Sequence, residues 1–172
     1  MTSTETRTAE RADLLETLAK HREFLRYAVQ GLSDEQARLR PTASELTLGG
    51  LIKHVTATER NWAAFAVGGA DAFPVFDEST YADWAAEFVM LPDETLQGLL
   101  DRHAEVARRT DELVRTLPSL DAAHPLPEAP WFEPGAQWSA RRVFLHVIAE
   151  TAQHAGHADI LRETIDGQKT MG

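Results

Sequence analysis

Hydrophobic residues recur every three or four positions along four stretches of the chain, which is the spacing of amphipathic helices. The first stretch begins at about Glu10 and ends near Gly31. The second follows Thr47, a residue suited to the N-cap of a helix, and ends at the Gly68-Gly69 pair. Between them, the segment that starts at Ser33 predicts a single short helical turn.

The third and fourth stretches also have recognisable ends. The third is predicted to begin at Pro92, because proline suits the first turn of a helix and Asp93 and Glu94 would lie beside the positive end of its dipole. The fourth follows the N-cap Ser139 and ends at Gly167.

Two long segments connect these helices. Residues 70–91 are rich in aromatic side chains and contain a short helical pattern around 79–89, whereas residues 118–138 are rich in proline, so that no helix or central strand fits there. Four helical stretches without a convincing alternating strand predict an all-α fold, a four-helix bundle with long crossover connections. We expect a single domain over residues 1–172, of which residues 1–8 are disordered.

Two polar residues interrupt the apolar face of the fourth stretch. Taking every third or fourth position gives Val143, Val147, Glu150, His154, Ala158 and Leu161. Burying an unpaired carboxylate is costly, so a partner for Glu150 is expected. Glu150 and His154 are one helical turn apart, and both side chains can therefore reach one point. A metal ion would satisfy both.

Composition narrows the choice of ligands and partners. The chain contains no cysteine, which excludes disulfides, cysteine zinc sites and a cysteine nucleophile, so any metal must bind through nitrogen and oxygen. A net charge of −10 argues against a nucleic-acid partner. No apolar signal core and no run of about 18 apolar residues is found, so we expect a cytoplasmic protein without a membrane partner.

A third metal ligand is expected from another helix, or from the same helix, and the candidates are His21, His54, His103 and His157. We choose His54, because it lies in mid-helix beside Leu51 and Val55, and because the second and fourth helices are expected to be neighbours. Two histidines and one carboxylate leave coordination positions open, as in catalytic zinc sites. Zinc is the default divalent metal, and the ligand types also admit nickel, iron or manganese.

Two motifs carry a family resemblance that covers nearly the whole chain. One is Leu51-Ile52-Lys53-His54-Val55, followed by Glu59 and Trp62, and the other runs from His146 through Glu150 to His154-Ala155-Gly156-His157. Together they resemble the DinB-like (DinB/YfiT) metalloenzyme superfamily. Many members of the superfamily use two histidines for the pair in the last long helix. The Glu150/His154 pair instead resembles the branch of mycothiol-dependent maleylpyruvate isomerases and mycothiol S-transferases, in which His, Glu and His hold zinc. The resemblance implies that His54, Glu150 and His154 are the metal ligands.

The other histidines are expected to have supporting places. We expect His146 to support a ligand or to be structural, and His157 to belong to the pocket or to an interface. His21 and His103 are expected to be buried and hydrogen-bonded, and His103 is also a candidate to face the pocket. Arg162 is expected to form a solvated pair with its neighbour Glu163.

An open-sided zinc ion either lowers the pKa of bound water or binds a thiol as thiolate. Since the chain has no cysteine, a thiol would have to be a cosubstrate, and the resemblance suggests mycothiol, or bacillithiol in other lineages. The predicted function is a metal-dependent transferase that activates this thiol for attack on a small-molecule electrophile. The alternatives are a metal-dependent hydrolase that uses a metal-bound hydroxide, and a non-catalytic metal-binding stress protein.

Two further expectations concern the thiol and the assembly. Glu59, Arg141 or Arg142 is a candidate to steer the thiol, and no residue is predicted as the general base. The resemblance also implies a homodimer.

Overall fold

The computed structural model describes residues 3–73, 85–129 and 131–170 of the chain, with side chains from Thr8 onwards. Most of these residues are helical, and the all-α fold predicted from the sequence is confirmed. The helical pattern predicted around 79–89 falls largely outside the described residues.

The described elements follow the predicted order. The helices are α1 (Ser3–Ala28), α2 (Asp34–Ala37), α3 (Leu48–Gly68), α4 (Leu96–Thr116) and α5 (Ala140–Asp166), with a 3₁₀ turn at Gly69–Ala72. The proline-rich connection contains two short strands, β1 (Ala123–Pro125) and β2 (Gln137–Ser139), which pair antiparallel. This small sheet was not predicted. It is compatible with the prolines because each of its two strands is an edge strand.

Local capping fixes several helix ends as the sequence predicted. Ser33, Thr47 and Ser139 are N-caps. The side-chain oxygen of each accepts a hydrogen bond from the backbone N–H of the residue three positions later. Gly167 ends α5 in the left-handed conformation, with φ at 79°, which glycine adopts without the strain that a Cβ would cause.

The starts of α4 and α1 differ from the predictions. α4 begins at Leu96 and not at Pro92, and Thr95 is its N-cap. Glu94 lies before the helix, where its carboxylate accepts a hydrogen bond from the backbone N–H of Leu91. α1 begins at Ser3, earlier than the predicted start at about Glu10. The apolar periodicity did not indicate this first part of the helix, because the residues before Glu10 are polar.

The long helices pack as a bundle in which α5 lies against both α1 and α3, and α4 contacts the same two helices. The expected contact between the second and fourth long helical stretches therefore exists, as that of α3 with α5. The buried apolar residues form two clusters, one around Leu51 and Leu99 and the other around Phe65 and Phe144. None of the described helices combines the length and apolar character that crossing a membrane requires.

The two apolar clusters meet at the middle of the bundle. Along α5, Val147 belongs to one cluster and Ala155 to the other. The boundary between the two clusters on this helix therefore lies at Glu150 and His154. Polar side chains are buried in the same helices, among them Arg22, Glu59, His103, Thr110 and Thr151.

Candidate metal centre

Packing of α3 against α5 brings His54, Glu150 and His154 together. Each offers one ligand atom, and these atoms all lie within 4.8 Å of one another. His154 Nε2 lies 3.6 Å from Glu150 Oε2. The rings of His54 and His154 meet edge to face, with their centroids 4.8 Å apart. Within the described part of the chain, this is the one group of three potential ligands with such spacing.

The donor set and its spacing fit a divalent ion. Two atoms that each bind one zinc ion at about 2.1 Å are at most about 4.2 Å apart. The Glu150–His154 separation of 3.6 Å is within that limit, and the largest separation in the group, 4.8 Å at most, needs only a small closing movement. His54 Nδ1 is also buried without a hydrogen-bond partner among the described residues, although buried polar atoms are generally paired.

The protonation states also favour a cation. The pKa of His54 is lowered to about 4, chiefly by burial. The neighbouring His154 also lowers this pKa, by more than Glu150 raises it. His54 is therefore a neutral imidazole at neutral pH, which is the form that binds metals. The contact with His154 is the main cause that lowers the pKa of Glu150, against the effect of burial. Glu150 is therefore a carboxylate.

One wall of the site is formed by Phe88, whose ring stacks on that of His54 at 4.1 Å with 20° between the planes. The backbone of this segment lies directly on α3: a Cβ added to Gly50 would be 2.0 Å from the carbonyl oxygen of Phe88. A Cβ added to Gly49 would be 2.6 Å from Sδ of Met90. Phe88 was not among the predicted site residues, although the paired glycines at the start of α3 signal a close approach of another segment.

A second wall consists of aromatic side chains around His146. The ring of His146 meets Trp62 at 4.8 Å and Trp138 at 5.0 Å, and the two indoles stack at 4.7 Å. His146 Nε2 lies 3.7 Å from Glu150 Oε1. Burial lowers the pKa of His146 more than the charge of Glu150 raises it. His146 therefore lies beside a proposed ligand, as expected.

Of the three candidates to steer a thiol, Glu59 and Arg141 are engaged in ion pairs, whereas Arg142 lies over the ring of Trp138, with its Cζ 4.5 Å from the ring centroid. Glu59 has no exposed surface, and both its carboxylate oxygens accept hydrogen bonds from the guanidinium of Arg22, at 3.1 and 2.5 Å. Arg141 is paired with Glu10 and Asp121. Glu59 is therefore enclosed in an inter-helix ion pair, and Arg141 is already held by two carboxylates.

The remaining candidate ligands do not join the cluster. His103 is buried, as expected, but neither of its ring nitrogens has a hydrogen-bond partner among the described residues. His21 is only partly buried and its ring lies 6.0 Å from that of Phe24. His157 is close, with its Nδ1 3.4 Å from the Nδ1 of His154, but it is not one of the three grouped ligands.

The all-α bundle and its His/Glu/His cluster define a DinB-like protein. The chain belongs to the mycothiol S-transferase family, whose family model matches residues 13–167. The fold is similar to that in a crystal structure of a conserved protein from Enterococcus faecalis, with a TM-score of 0.63 and 16% sequence identity. That comparison covers 98% of this chain and 99% of the other. No curated protein matches the chain.

Proposed function

We propose that this protein is a metal-dependent S-transferase that uses a low-molecular-weight thiol, of which mycothiol is the type, to attack a small electrophile. The observation that carries the proposal is the His54, Glu150 and His154 cluster in a chain of the mycothiol S-transferase family. The metal we propose is zinc, since two nitrogens and one oxygen from the protein are a common ligand set for catalytic zinc.

The three side chains would hold the ion and leave part of its coordination sphere open. When bound, a divalent ion supplies a Lewis acid that lowers the pKa of a thiol. Glu150 offsets part of the ion's positive charge, and His54 binds without first losing a proton, because its pKa is about 4. Phe88 on one side and Trp62 with Trp138 on the other limit the access of water.

The proposed transfer forms one sulfur–carbon bond. The thiol loses its proton to solvent, its sulfur donates an electron pair to the electrophilic carbon, and in a displacement the leaving group departs with the bonding pair. The chain has no cysteine, so the nucleophilic sulfur comes from the cosubstrate. We assign no side chain as general base.

Cobalt(II) substitution tests the proposal. Titration of the cobalt-loaded protein with mycothiol should produce a thiolate-to-cobalt charge-transfer band, and the absence of protein cysteine means that the band can only report the added thiol. His154→Ala and Glu150→Gln should lose stoichiometric cobalt and the band. His21→Ala is the matched control, because His21 lies outside the cluster, and it should behave as the wild type.

The outcomes separate the alternatives. A protein that holds cobalt but gives no band with mycothiol or bacillithiol contradicts the thiol step, and ester hydrolysis that is lost in His154→Ala would then favour the hydrolase. A wild-type protein that retains no metal after purification without chelators contradicts both enzymatic functions.

We also propose that two copies of the chain associate, as the resemblance to DinB-like proteins implies. The outer face of α5 has exposed apolar side chains at Leu145 and Ile160. Sedimentation equilibrium should give twice the chain mass of 19.1 kDa, and a mass equal to one chain across the micromolar range would contradict a homodimer.

A further inference from the structure

One face of α5 has a continuous row of four polar side chains, His146, Glu150, His154 and His157. Each comes close to the next: Nε2 of His146 is 3.7 Å from Oε1 of Glu150, Oε2 of Glu150 is 3.6 Å from Nε2 of His154, and Nδ1 of His154 is 3.4 Å from Nδ1 of His157. The spacing of four, four and three residues keeps them on one side of the helix. The two proposed ligands are in the middle of the row, and His157 ends it.

The contacts of His154 assign different roles to its two nitrogens. Nε2 faces Glu150, so it is the nitrogen that joins the ligand cluster. Nδ1 faces His157. A neutral imidazole that binds a metal through one nitrogen carries its proton on the other, and the acceptor of that proton fixes the orientation of the ring.

We propose that His157 is a positioning residue of the metal centre. Its unprotonated Nδ1 accepts a hydrogen bond from the Nδ1–H of His154 and so holds Nε2 of His154 towards the ion. This assigns the proton of neutral His157 to its Nε2. The inference rests on the proposed function, because it needs a metal at His54, Glu150 and His154.

The surroundings of His157 suit this role. The residues Ala155 and Ala158 on either side of the Gly156-His157 pair are buried against the bundle, which fixes the helix backbone at this position. His157 itself is half-buried, so the contact with His154 is partly shielded from water. A hydrogen bond shielded in this way orients a ligand more strongly than one that competes with solvent.

Two substitutions separate the hydrogen bond from the bulk of the side chain. His157→Leu puts an apolar side chain of related size in place of the imidazole and so removes the acceptor. His157→Asn supplies a side-chain oxygen that can accept the same proton. We expect His157→Leu to weaken cobalt(II) binding about 10- to 100-fold, the usual effect of losing such a partner, and to shift the d–d absorption bands. His157→Asn should recover most of both. Competition with a chromophoric chelator measures the affinity.

Two reference variants make the result decisive. His21→Leu should leave cobalt affinity and spectrum unchanged, and His154→Ala should lose the metal. Circular dichroism of every variant checks the fold, and His157→Ala replaces His157→Leu if the latter is not helical. Wild-type affinity and d–d bands in His157→Leu would overturn the inference while leaving the metal centre intact.

Two other results have separate meanings. Loss of cobalt in both His157→Leu and His157→Asn, to the extent seen in His154→Ala, would make His157 a ligand and overturn its positioning role. If the wild-type protein binds no cobalt, the proposed function fails, and the inference fails with it.

Discussion

At the scale of single residues, the interior of the bundle contains an unusual neighbour of the ion pair between Arg22 and Glu59. His103 is 1% exposed, and neither ring nitrogen has a partner among the described residues. Burial lowers the pKa of His103; Glu59 opposes this effect, and the positive charges of Arg22 and Arg26 add to it. The side chain is therefore neutral in the folded protein at neutral pH, and protonating it there is costly.

This makes His103 a source of acid sensitivity. Its pKa in the unfolded chain is near 6.5 and is lower in the folded protein. Below pH 6.5 the unfolded chain therefore binds more protons, and the free energy of unfolding falls as the pH falls, by at most about 1.4 kcal/mol per pH unit for one group. We expect His103→Leu to reduce this slope. Urea unfolding of the chelator-treated protein at neutral and mildly acidic pH measures it.

The slope should decrease without vanishing, because His54 and His146 also have lowered pKa values and remain in the variant. His21→Leu, at a partly exposed position, is the control and should keep the wild-type slope. An unchanged slope in a folded His103→Leu protein would show that His103 does not contribute to acid sensitivity.

Two charged residues show why sequence reasoning fell short at this scale. Arg162 was expected to be solvated, yet it is 4% exposed and donates hydrogen bonds to the carbonyl oxygens of Ala28 and Gln30. Glu59 was a candidate to steer the thiol and is enclosed with Arg22. Both partners come from α1 or the turn after it, more than 30 residues away. Helical spacing indicates which residues of one helix share a face, but it does not identify partners on another helix.

At the scale of elements, the segment 88–90 is a strap across α3. Met90 is buried beside Gly49, the carbonyl of Phe88 lies against Gly50, and Lys53 Nζ donates a hydrogen bond to the carbonyl of Val89 at 3.1 Å. Because the ring of Phe88 stacks on His54, the position of the strap bears on the position of a proposed ligand.

We expect Gly50→Ala to displace the strap. The added Cβ would be 2.0 Å from a backbone oxygen, which cannot move as a flexible side chain does. Such overpacking usually costs about 1–3 kcal/mol of stability, and here it should also weaken cobalt(II) binding about tenfold, in the range for a disturbed supporting contact. Thermal unfolding and chelator competition measure the two effects.

Gly68→Ala is the matched control in the same helix. A Cβ at Gly68 would have no atom within 4 Å, and its φ of −108° suits alanine. This variant should keep both stability and cobalt affinity. If Gly50→Ala loses stability but binds cobalt as the wild type does, the strap supports the fold and not the metal centre.

The helix ends show what the sequence can predict at this scale. Thr47 and Ser139 were recognised because a cap acts within its own first turn. The start of α4 was misplaced because Pro92 and Thr95 are both acceptable locally. The carboxylate of Glu94 lies outside the helix, where it binds Lys53 of α3 at 3.0 Å and Arg102 of α4, eight residues further along the chain, at 2.9 Å. The contact with Lys53 joins two segments that are distant in sequence, so it could not be predicted from the local pattern of residues around Glu94.

At the scale of the whole molecule, the candidate metal centre joins two helices that are far apart in sequence. His54 belongs to α3, while Glu150 and His154 belong to α5, and these helices also bring together parts of both apolar clusters. The grouping of these three side chains was predictable because each lies on or beside the apolar face of its helix and because a family resemblance brought them together. The wall formed by Phe88 was not, since this residue comes from a connection between the long helices.

A ligand that bridges two helices only in the folded bundle should stabilise the whole molecule. Binding to the folded state adds RT ln(1 + [M]/Kd), about 4 kcal/mol when free metal is 1,000 times its Kd. For a domain of this size, each kcal/mol raises the unfolding temperature by about 2–4 °C. We expect zinc to raise the unfolding temperature of chelator-treated protein, and renewed chelation to lower it again.

The variants tell specific from non-specific stabilisation. His154→Ala should show no zinc-dependent shift, whereas His21→Ala, with its ligand cluster intact, should show the wild-type shift. Equal shifts in wild type and His154→Ala would place the stabilising zinc elsewhere on this acidic chain, whose net charge is −10. A zinc-dependent rise in unfolding temperature that requires His154 and persists in high salt identifies coordination. Added salt screens the diffuse attraction between a cation and surface carboxylates far more than it weakens direct ligand bonds.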